Sequence, residues 1–384
     1  MKVAVLGYGT VGAGVYSMLS DAPGMEAGPV LVRPGKAVES FMVSDAALIF
    51  GDPTVDAVVE TLGGLDPAYS YGMRALEAGK HFITANKAMV AAHGLELAAL
   101  AREKGAAFLF SAACGGGVPF LHNLALSAET DRIEAVSGIL NGTTNYMLDA
   151  MQRRGLSYGD ALREAQSLGY AESAPTADVS GLDALRKMQL ACAVAFGVLP
   201  QSGMLCEGME HFTAADVEDI QSRGLVCRLM ARGSRAGESV SAYVEPVLFP
   251  RAAPESSVFT NNNMARYTGK RCGSIVLMGQ GAGRFPTASA VLRDLSAAQQ
   301  GARSMFPENC RAAEADNREA VHSYYIRTGG FAAVRLSLRS VLAQGEVVRA
   351  VTEPMSAEKM HALAQNIRKD GNDLFFAALE EELC

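Results

Sequence analysis

Short apolar runs alternate with amphipathic patterns of helical period between residues 2 and 110. The runs predict strands at 2–6, 29–33, 56–60, 80–84 and 107–110, and the helical patterns predict helices ending near Leu19, at 69–78 and at 94–104. Strands that alternate with helices in this way form parallel sheets with helices on both faces. The first part of the chain is therefore predicted to be α/β, with a doubly wound parallel sheet.

A glycine-rich turn joins the first predicted strand to the first predicted helix. It consists of Gly7, Tyr8, Gly9, Thr10, Val11 and Gly12. Between a strand and a helix, this G-x-G-x-x-G spacing is the fingerprint of dinucleotide binding in Rossmann folds. The phosphates would lie at the positive end of the helix dipole. The alternative is a glycine turn without a ligand.

Further candidate cofactor ligands follow the later strands. NAD-selective sites usually place an acid near the end of the second strand, but here Arg33 and Lys36 follow it, which favours the 2′-phosphate of NADP. Either cation is alternatively a solvated side chain. Gly63 and Lys87 follow the third and fourth strands, where open parallel sheets bind ligands. Gly281 belongs to a second glycine turn before a helix, so the chain is expected to return there to the cofactor domain.

The segment 169–187 gathers four charged side chains beside residues that interrupt regular structure. They are Glu172, Asp178, Asp183 and Lys187, and a helix is predicted at 180–196. Asp183 and Lys187 lie four residues apart, on one face of that helix. One interpretation is a capping box from Ser180 with an ordinary surface ion pair. The other is a lysine held beside carboxylates in a partly dry cleft, where it donates a proton to a reacting oxygen.

Two polar stretches interrupt the middle of the chain. The glycine-rich residues 111–119 form either a hinge whose carbonyls face a ligand or ion, or a simple linker. The predicted strand Ile133–Ile139 ends in hydroxyl and amide residues, including Thr143, which suit either a polar substrate or a turn with an N-cap. Later predicted elements are a helix at 157–169, a strand at 239–248, a buried strand at 274–278 and a helix at 290–300.

The last part of the chain is predicted to be a linker followed by a small α+β unit. Residues 304–320 carry alternating charges and form the expected linker. Strands are then expected at 323–328, 347–352 and 374–379, with helices at 331–343 and 356–369. The predicted domains are a dinucleotide-binding domain at 1–118 completed by 278–303, a substrate-binding and dimerisation domain at 119–277, the linker, and the C-terminal unit at 321–384.

Composition excludes several classes of protein. The formal net charge of −7 argues against a nucleic-acid or anionic-membrane partner. No apolar run resembles a signal peptide or a membrane span, so a soluble, cytoplasmic protein is expected. The seven cysteines form no C-x-x-C pair and the six histidines are dispersed, which predicts free thiols and no transition metal.

The motifs, taken together and in order, resemble those of homoserine dehydrogenases. They are GYGTVGAGV, ETLGG, GKHFITANKA, ILNGTTNYML, EAQSLGYAE, DVSGLDALRK and GAGRFPTASAVLRDL. The resemblance implies NAD(P)-dependent interconversion of L-aspartate 4-semialdehyde and L-homoserine, on the route to threonine, methionine and isoleucine. It also implies a homodimer formed through the middle domain.

The resemblance also implies roles for particular residues. Lys187 matches the proton donor to the aldehyde oxygen, Asp183 its neighbouring acid, and Lys87 a lysine near nicotinamide and substrate. The expected substrate-binding residues are Thr143, Tyr170, Glu172, Asp178 and Asp183. Hydride transfer to the carbonyl carbon leaves negative charge on oxygen, which a lysine can neutralise and protonate.

Three departures from the family pattern limit what is carried over. Ser111 replaces a glutamate that belongs to an alkali-metal site in relatives, which argues against sodium, although the carbonyls of Cys114 and Gly116 remain candidate ligands. Ala174 replaces a common acid. The C-terminal unit resembles a shortened ACT domain whose expected loop is only Thr328-Gly329-Gly330, so threonine binding and dimer packing are both open. Rival readings are another oxidoreductase on an amino-acid aldehyde or imine, and a catalytically silent amino-acid sensor.

Overall fold

The N-terminal region of the computed structural model is a six-stranded parallel sheet. The structure describes residues 1–329 and 336–380. The strands are β1 (Lys2–Leu6), β2 (Glu26–Leu31), β3 (Met42–Val43), β4 (Ala57–Glu60), β5 (His81–Thr84) and β6 (Phe108–Leu109). Their order in the sheet is β3-β2-β1-β4-β5-β6, and all neighbours are parallel. This is the strand order of the Rossmann fold, which confirms the predicted fold class.

Four helices alternate with these strands along the chain. They are α1 (Thr10–Leu19), α2 (Ala47–Phe50), α3 (Ala68–Glu77) and α4 (Lys87–Lys104). The predicted start of α4 at residue 94 is wrong, because the Asn86 side chain accepts a hydrogen bond from the backbone N–H of Met89 and starts the helix at Lys87. The predicted second strand, 29–33, starts three residues and ends two residues too late, so Arg33 stands beyond the end of β2.

The middle region combines a second, mixed sheet with helices on one side. The strands of this sheet are β7 (Ile133–Ile139), β9 (Leu205–Cys206), β10 (Leu225–Ala236), β11 (Ser239–Pro250), β12 (Asn262–Gly269) and β13 (Gly273–Gln280), whereas β8 (Val198–Ser202) lies outside it. Its helices are α5 (Phe120–Thr130), α6 (Gly142–Arg154), α7 (Tyr158–Ser167), α8 (Thr176–Val179), α9 (Leu182–Phe196) and α10 (Ala214–Ser222). Eleven of the residues in α9 are buried, so its packing against this sheet fixes where Asp183 and Lys187 stand.

The strand at 274–278 was expected to be buried, and this is wrong. Among the described strands β13 pairs with β12 alone, at the edge of the sheet, and its alternate side chains face outward. Val276 and Met278 are 43% and 61% exposed. A continuous apolar run predicts a strand, but it does not reveal how many neighbours that strand has.

The chain then returns to the first sheet, as the second glycine turn indicates. Helix α11 (Arg284–Gln299) packs on α1, and an added Cβ at Gly14 would lie 2.9 Å from Arg284. Residues 304–320 are not merely a linker, because they contain β14 (Arg311–Glu314), which pairs in parallel with β8. Alternating charges concealed this short strand.

The C-terminal unit continues the second sheet. It comprises β15 (Val321–His322), β16 (Tyr324–Gly329), β17 (Leu338–Ala343), β18 (Val347–Thr352), β19 (Met355–Ser356), α12 (Ala357–Lys369) and β20 (Leu374–Leu379). The order β20-β16-β18-β17 extends from β11, through the pairs Val247–Ala378 and Leu248–Leu379. The helix predicted at 331–343 is wrong for residues 338–343. These residues form the strand β17 instead, because β18 supplies a hydrogen-bonding neighbour. Residues 330–335 lie outside the described residues.

Over the two described stretches, 1–329 and 336–380, no helix has both the length and the apolar character required to cross a bilayer.

Candidate active site

Two lysines and one aspartate meet at the centre of a cleft. Asp183 Oδ2 lies 2.7 Å from Lys187 Nζ, and Asp183 Oδ1 lies 3.0 Å from Lys87 Nζ. The side chains of Asp183 and Lys187 are only 13% and 12% exposed, so this is no ordinary surface ion pair. The alternative of a capping box is also wrong, since α9 follows Gly181 and has no side-chain cap.

The starts of two helices bring these charges together. Gly181, with φ +84°, turns the chain so that Asp183 stands in the first turn of α9 and Lys187 one turn later. Lys87 is the first residue of α4, immediately after β5. It therefore projects from the carboxyl edge of the parallel sheet, where ligands bind in open α/β folds.

Asn141 connects the acids of the cleft and was missed as a site residue. Its side-chain oxygen caps α6 by accepting from Thr144 N, and its Nδ2 donates to Asp178 at 2.7 Å and to Asp183 at 2.9 Å. Its position at the end of a strand was the available signal. The preceding carbonyl, of Leu140, accepts from Lys187 Nζ at 2.6 Å.

Electrostatics keep this cluster charged. Burial opposes ionisation of Asp183, but Lys187 and Lys87 hold the pKa of its carboxyl well below the usual range. Burial likewise opposes the charge on Lys187, yet Asp183 outweighs it and raises the pKa of the ammonium. Burial raises the pKa of the Asp178 carboxyl, against the hydrogen bond from Asn141. Lys187 therefore holds its proton at neutral pH.

All the predicted substrate-binding residues line this cleft of about 520 Å³. They are Thr143, Tyr170, Glu172, Asp178 and Asp183. Thr143 Oγ1 donates to the carbonyl of Tyr170 at 2.5 Å, which ties the start of α6 to the segment after α7. Glu172 is exposed at the rim. Gly281 and Lys87, predicted to contact the cofactor, also line this cleft.

A second cleft of about 980 Å³ surrounds the first glycine turn. Its lining includes Gly7, Tyr8, Gly9, Arg33, Lys36 and Gly63. Thr10, Val11 and Gly12 belong to the first turn of α1, whose N-terminus has no side-chain cap and so leaves backbone N–H groups for an anion. A Cβ at Gly12 would lie 2.1 Å from the carbonyl oxygen of Gly7, so only glycine fits.

The loop after β4, which lines the glycine-turn cleft, is hydrogen-bonded to the loop after β5, which lines the substrate cleft. Asn86, the residue before Lys87, donates through Nδ2 to the carbonyl of Gly64 at 2.6 Å. The buried Glu60 accepts from the N–H groups of Leu62 and Gly63, at 2.6 and 3.2 Å, and from Thr84. Glu60 was also missed. It holds the loop that follows β4, which lines the glycine-turn cleft, and ties it to the end of β5.

The glycine hinge lies beside the second glycine turn, with a hydrogen bond of 3.0 Å from Gly117 N to the Gln280 carbonyl. Gly116 lines the substrate cleft, while burial raises the pKa of the Cys114 thiol to about 12. Ser111 donates through both its N–H and its hydroxyl to the buried carboxylate of Asp294. Within residues 1–329 and 336–380, no three His, Cys, Asp or Glu side chains gather as metal ligands.

A Rossmann sheet with a free helix N-terminus, beside a cleft that presents a protonated lysine, defines the class of protein: an NAD(P)-dependent oxidoreductase acting on a CH–OH group. Two family models match, "Homoserine dehydrogenase, NAD binding domain" at residues 7–111 and "Homoserine dehydrogenase" at residues 119–296. The chain belongs to the homoserine dehydrogenase family. Its members interconvert L-homoserine and L-aspartate 4-semialdehyde in threonine, methionine and isoleucine biosynthesis.

Individual relatives agree with this assignment. Homoserine dehydrogenase of Synechocystis is 37% identical over 77% of this chain and 72% of its own, and that of Corynebacterium glutamicum is 38% identical over 76% and 70%. The structure of a homoserine dehydrogenase from Thiobacillus denitrificans has a TM-score of 0.88 at 29% identity, covering 99% of this chain and 98% of that one. A hyperthermophilic archaeal homoserine dehydrogenase in complex with NADPH shares the fold, with a TM-score of 0.67 at 24% identity over 81% of this chain and 99% of that one.

Proposed function

We propose that Lys187 is the group that protonates the substrate oxygen during reduction of the semialdehyde, with Asp183 and Lys87 completing the catalytic set. The observation that carries this is the buried contact between Asp183 and both lysines. An ammonium has three N–H donors. Asp183 and the Leu140 carbonyl take two on Lys187, which leaves one for an oxygen in the cleft.

The remaining groups orient the substrate. When bound, the nicotinamide supplies the hydride that reaches the carbonyl carbon. As negative charge develops on the oxygen, Lys187 donates its hydrogen bond and then its proton, and Lys87 adds a second positive charge nearby. Asp178 and Glu172, with Thr143 and Tyr170, line the side of the cleft where carboxylates can hold the amino group of the substrate.

NADP is the proposed cofactor, with NAD as the alternative. Arg33 and Lys36 both line the cleft at the glycine turn, just beyond β2, where a ribose 2′-phosphate would be neutralised. The cofactor would also contact the loop at Gly63, while Gly281 and Lys87 stand on the substrate side.

Assembly and regulation remain proposals too. The exposed apolar edge of β13 supports a homodimer formed through the middle domain. The C-terminal unit serves either dimer packing or, as an ACT-like unit, threonine binding. The residues present do not favour a sodium site. Ser111 stands where the family has a glutamate, and its N–H and hydroxyl both donate to Asp294. The backbone carbonyls of Cys114 and Gly116 remain as candidate sodium ligands.

The proposal is tested with purified protein and L-homoserine, comparing NADP with NAD, with and without threonine. Homoserine-dependent reduction of NADP is expected, with a lower KM for NADP than for NAD. Arg33→Ala should raise the KM for NADP about tenfold, because it removes a charge-assisted hydrogen bond. It should leave the KM for NAD unchanged, and equal effects on both cofactors would contradict the 2′-phosphate role. An absence of any homoserine-dependent reduction would support the silent sensor instead.

A further inference from the structure

An arginine of the C-terminal unit reaches into the middle domain. Arg368, on α12, makes a bidentate pair with Glu207, through Nη1 to Oε2 at 2.9 Å and Nη2 to Oε1 at 2.7 Å. The two side chains are 20% and 10% exposed. Nε and Nη2 of Arg368 also donate to the carbonyl of Leu374, at 3.1 and 2.8 Å. These hydrogen bonds to Leu374 fix the orientation in which the guanidinium group pairs with Glu207.

The segment that carries Glu207 lies directly on the turn before α9. Met209 N donates to the carbonyl of Val179 at 3.0 Å, and Cys206 Sγ donates to the carbonyl of Ser180 at 3.1 Å. A Cβ at Gly208 would lie 2.3 Å from the Val179 carbonyl oxygen, so the two backbones touch without intervening side chains. Any displacement of the segment 206–209 is passed to residues 179–181.

Residues 179–181 connect the acids of the substrate cleft. Asp178 precedes them at the end of α8, and Asp183 follows them in the first turn of α9. Gly181 N donates to the carbonyl of Asp178 at 3.0 Å, and Leu185 N donates to the carbonyl of Gly181 at 2.9 Å. This turn therefore determines how far apart, and at what angle, the two carboxylates are presented.

We propose that Arg368 and Glu207 are positioning residues for the substrate site. By clamping the segment 206–209 from outside, they hold the turn 179–181 and thereby the spacing of Asp178 and Asp183. The C-terminal unit is thus part of the support of the active site rather than an appendage. The inference rests on the proposed function, in which these two aspartates face the substrate.

The alternative is an ion pair that only attaches α12 to the middle domain. A matched control exists for that alternative, because Arg232 Nη2 donates to Glu380 Oε2 at 2.6 Å. This pair also joins the C-terminal unit to the middle domain, and its arginine side chain is 15% exposed. Glu380 follows β20, which pairs with β11, and in the described part of the chain its hydrogen bonds join it to Leu248 and Arg232 rather than to the segment 206–209. Glu207→Gln and Glu380→Gln each remove the carboxylate partner of an arginine.

The experiment measures steady-state kinetics and melting temperature of the full-length enzyme in five variants: Glu207→Gln, Arg368→Gln, Arg368→Lys, the double Gln variant and Glu380→Gln. Glu207→Gln and Arg368→Gln should each raise the KM for homoserine about tenfold, since small misplacements of binding groups are costly, with the KM for NADP within about twofold of wild type. The double variant should be no worse than either single one, because both break the same contact. Arg368→Lys should recover part of the loss.

Glu380→Gln should lower the melting temperature yet leave the KM for homoserine unchanged. The proposal is overturned if Glu380→Gln and Glu207→Gln raise that KM equally, or if the Glu207 and Arg368 variants change only the melting temperature. Failure of the proposed function would look different. In that case Asp178→Asn and Lys187→Ala would leave homoserine turnover intact, whereas failure of this inference leaves their effects in place.

Discussion

Two buried aspartates close to the same cleft have carboxyl pKa values that are shifted in opposite directions. Asp183 has Lys187 and Lys87 within 3.0 Å, and its carboxyl is held ionised. Asp294, on α11 beneath the hinge, receives hydrogen bonds from Ser111, and no ion pair involves it in the part of the chain that the structure describes. Burial raises the pKa of its carboxyl to about 7.

The difference shows that burial alone does not decide the charge of a carboxyl group. Desolvation pushes both groups toward the neutral form, and at Asp183 the charges of two ammonium groups, with hydrogen bonds from Lys187 and Asn141, outweigh it. Neutral donors such as the Ser111 hydroxyl and N–H are too weak to do so. The chain therefore keeps an ionised carboxylate beside two ammonium groups in the cleft, and a carboxyl group with a raised pKa where the hinge and α11 are joined.

The largest effect is expected from removing the cation that Asp183 holds. Lys187→Ala should lower turnover by about 10²–10⁴-fold, because the developing oxyanion loses its proton donor. Dissociation constants for NADP, measured by fluorescence titration, should barely move, since Lys187 lies outside the glycine-turn cleft. Equal losses of turnover and cofactor affinity would instead indicate a folding role for Lys187.

A smaller and more diagnostic effect is expected from Asp183→Asn. Asp183 raises the pKa of Lys187, so its loss lowers that pKa. In the proposed mechanism semialdehyde reduction needs protonated Lys187, so its rate is expected to fall as pH rises through that pKa. In Asp183→Asn the fall should occur at lower pH, with turnover at neutral pH reduced about tenfold or more. Asp178→Asn is the control and should move this limb less. If the fall in rate at high pH occurred at the same pH in Asp183→Asn as in the wild type, Asp183 would not control the pKa of Lys187.

The smallest effect on activity, but a distinct one on stability, is expected from Asp294→Asn. The pKa of this group is raised from 3.8 in the unfolded chain to about 7 in the folded one. The folded state thus binds more protons between these values, and wild-type stability falls as pH rises across that window. By pH 8 the free energy of unfolding of the wild type should have fallen by on the order of 2–4 kcal/mol.

Calorimetry at pH 5 and pH 8 provides the measurement. Asn lacks the titration, so the melting temperature of Asp294→Asn relative to wild type should increase between these pH values. Ser111→Ala retains the carboxyl and should retain the pH dependence. A difference between Asp294→Asn and wild type that is constant with pH would show that Asp294 is ionised throughout.

Several features of the site were predictable because they depend on local spacing. The glycine turn at 7–12 follows a strand and precedes a helix, and Asp183 and Lys187 lie one helical turn apart whatever surrounds them. The roles of Asn141 and Glu60 were not predictable in this way. Asn141 reaches Asp183 across 42 residues, and nothing in a strand-end asparagine specifies that partner.

Secondary-structure elements show the same difference between what local sequence predicts and what the neighbours of an element decide. The apolar run at 274–278 predicted a strand, but only the arrangement of the sheet left β13 on an edge. Residues 338–343 form a strand because β18 lies beside them, against the helical pattern of the segment. Local preferences are weak, and the hydrogen bonds offered by a neighbouring strand override them.

The amino-acid order alone determined three features: the Rossmann architecture of the first domain, the dinucleotide turn, and the carboxylate–ammonium pair on α9. Each depends on a repeating pattern or on a spacing of one or two turns, which local backbone geometry fixes. Only the tertiary structure brought Lys87, Asn141 and the Leu140 carbonyl to that pair and placed Arg368 of α12 against Glu207. Such contacts join segments that are distant along the chain. They depend on how whole elements pack, and no local period encodes that.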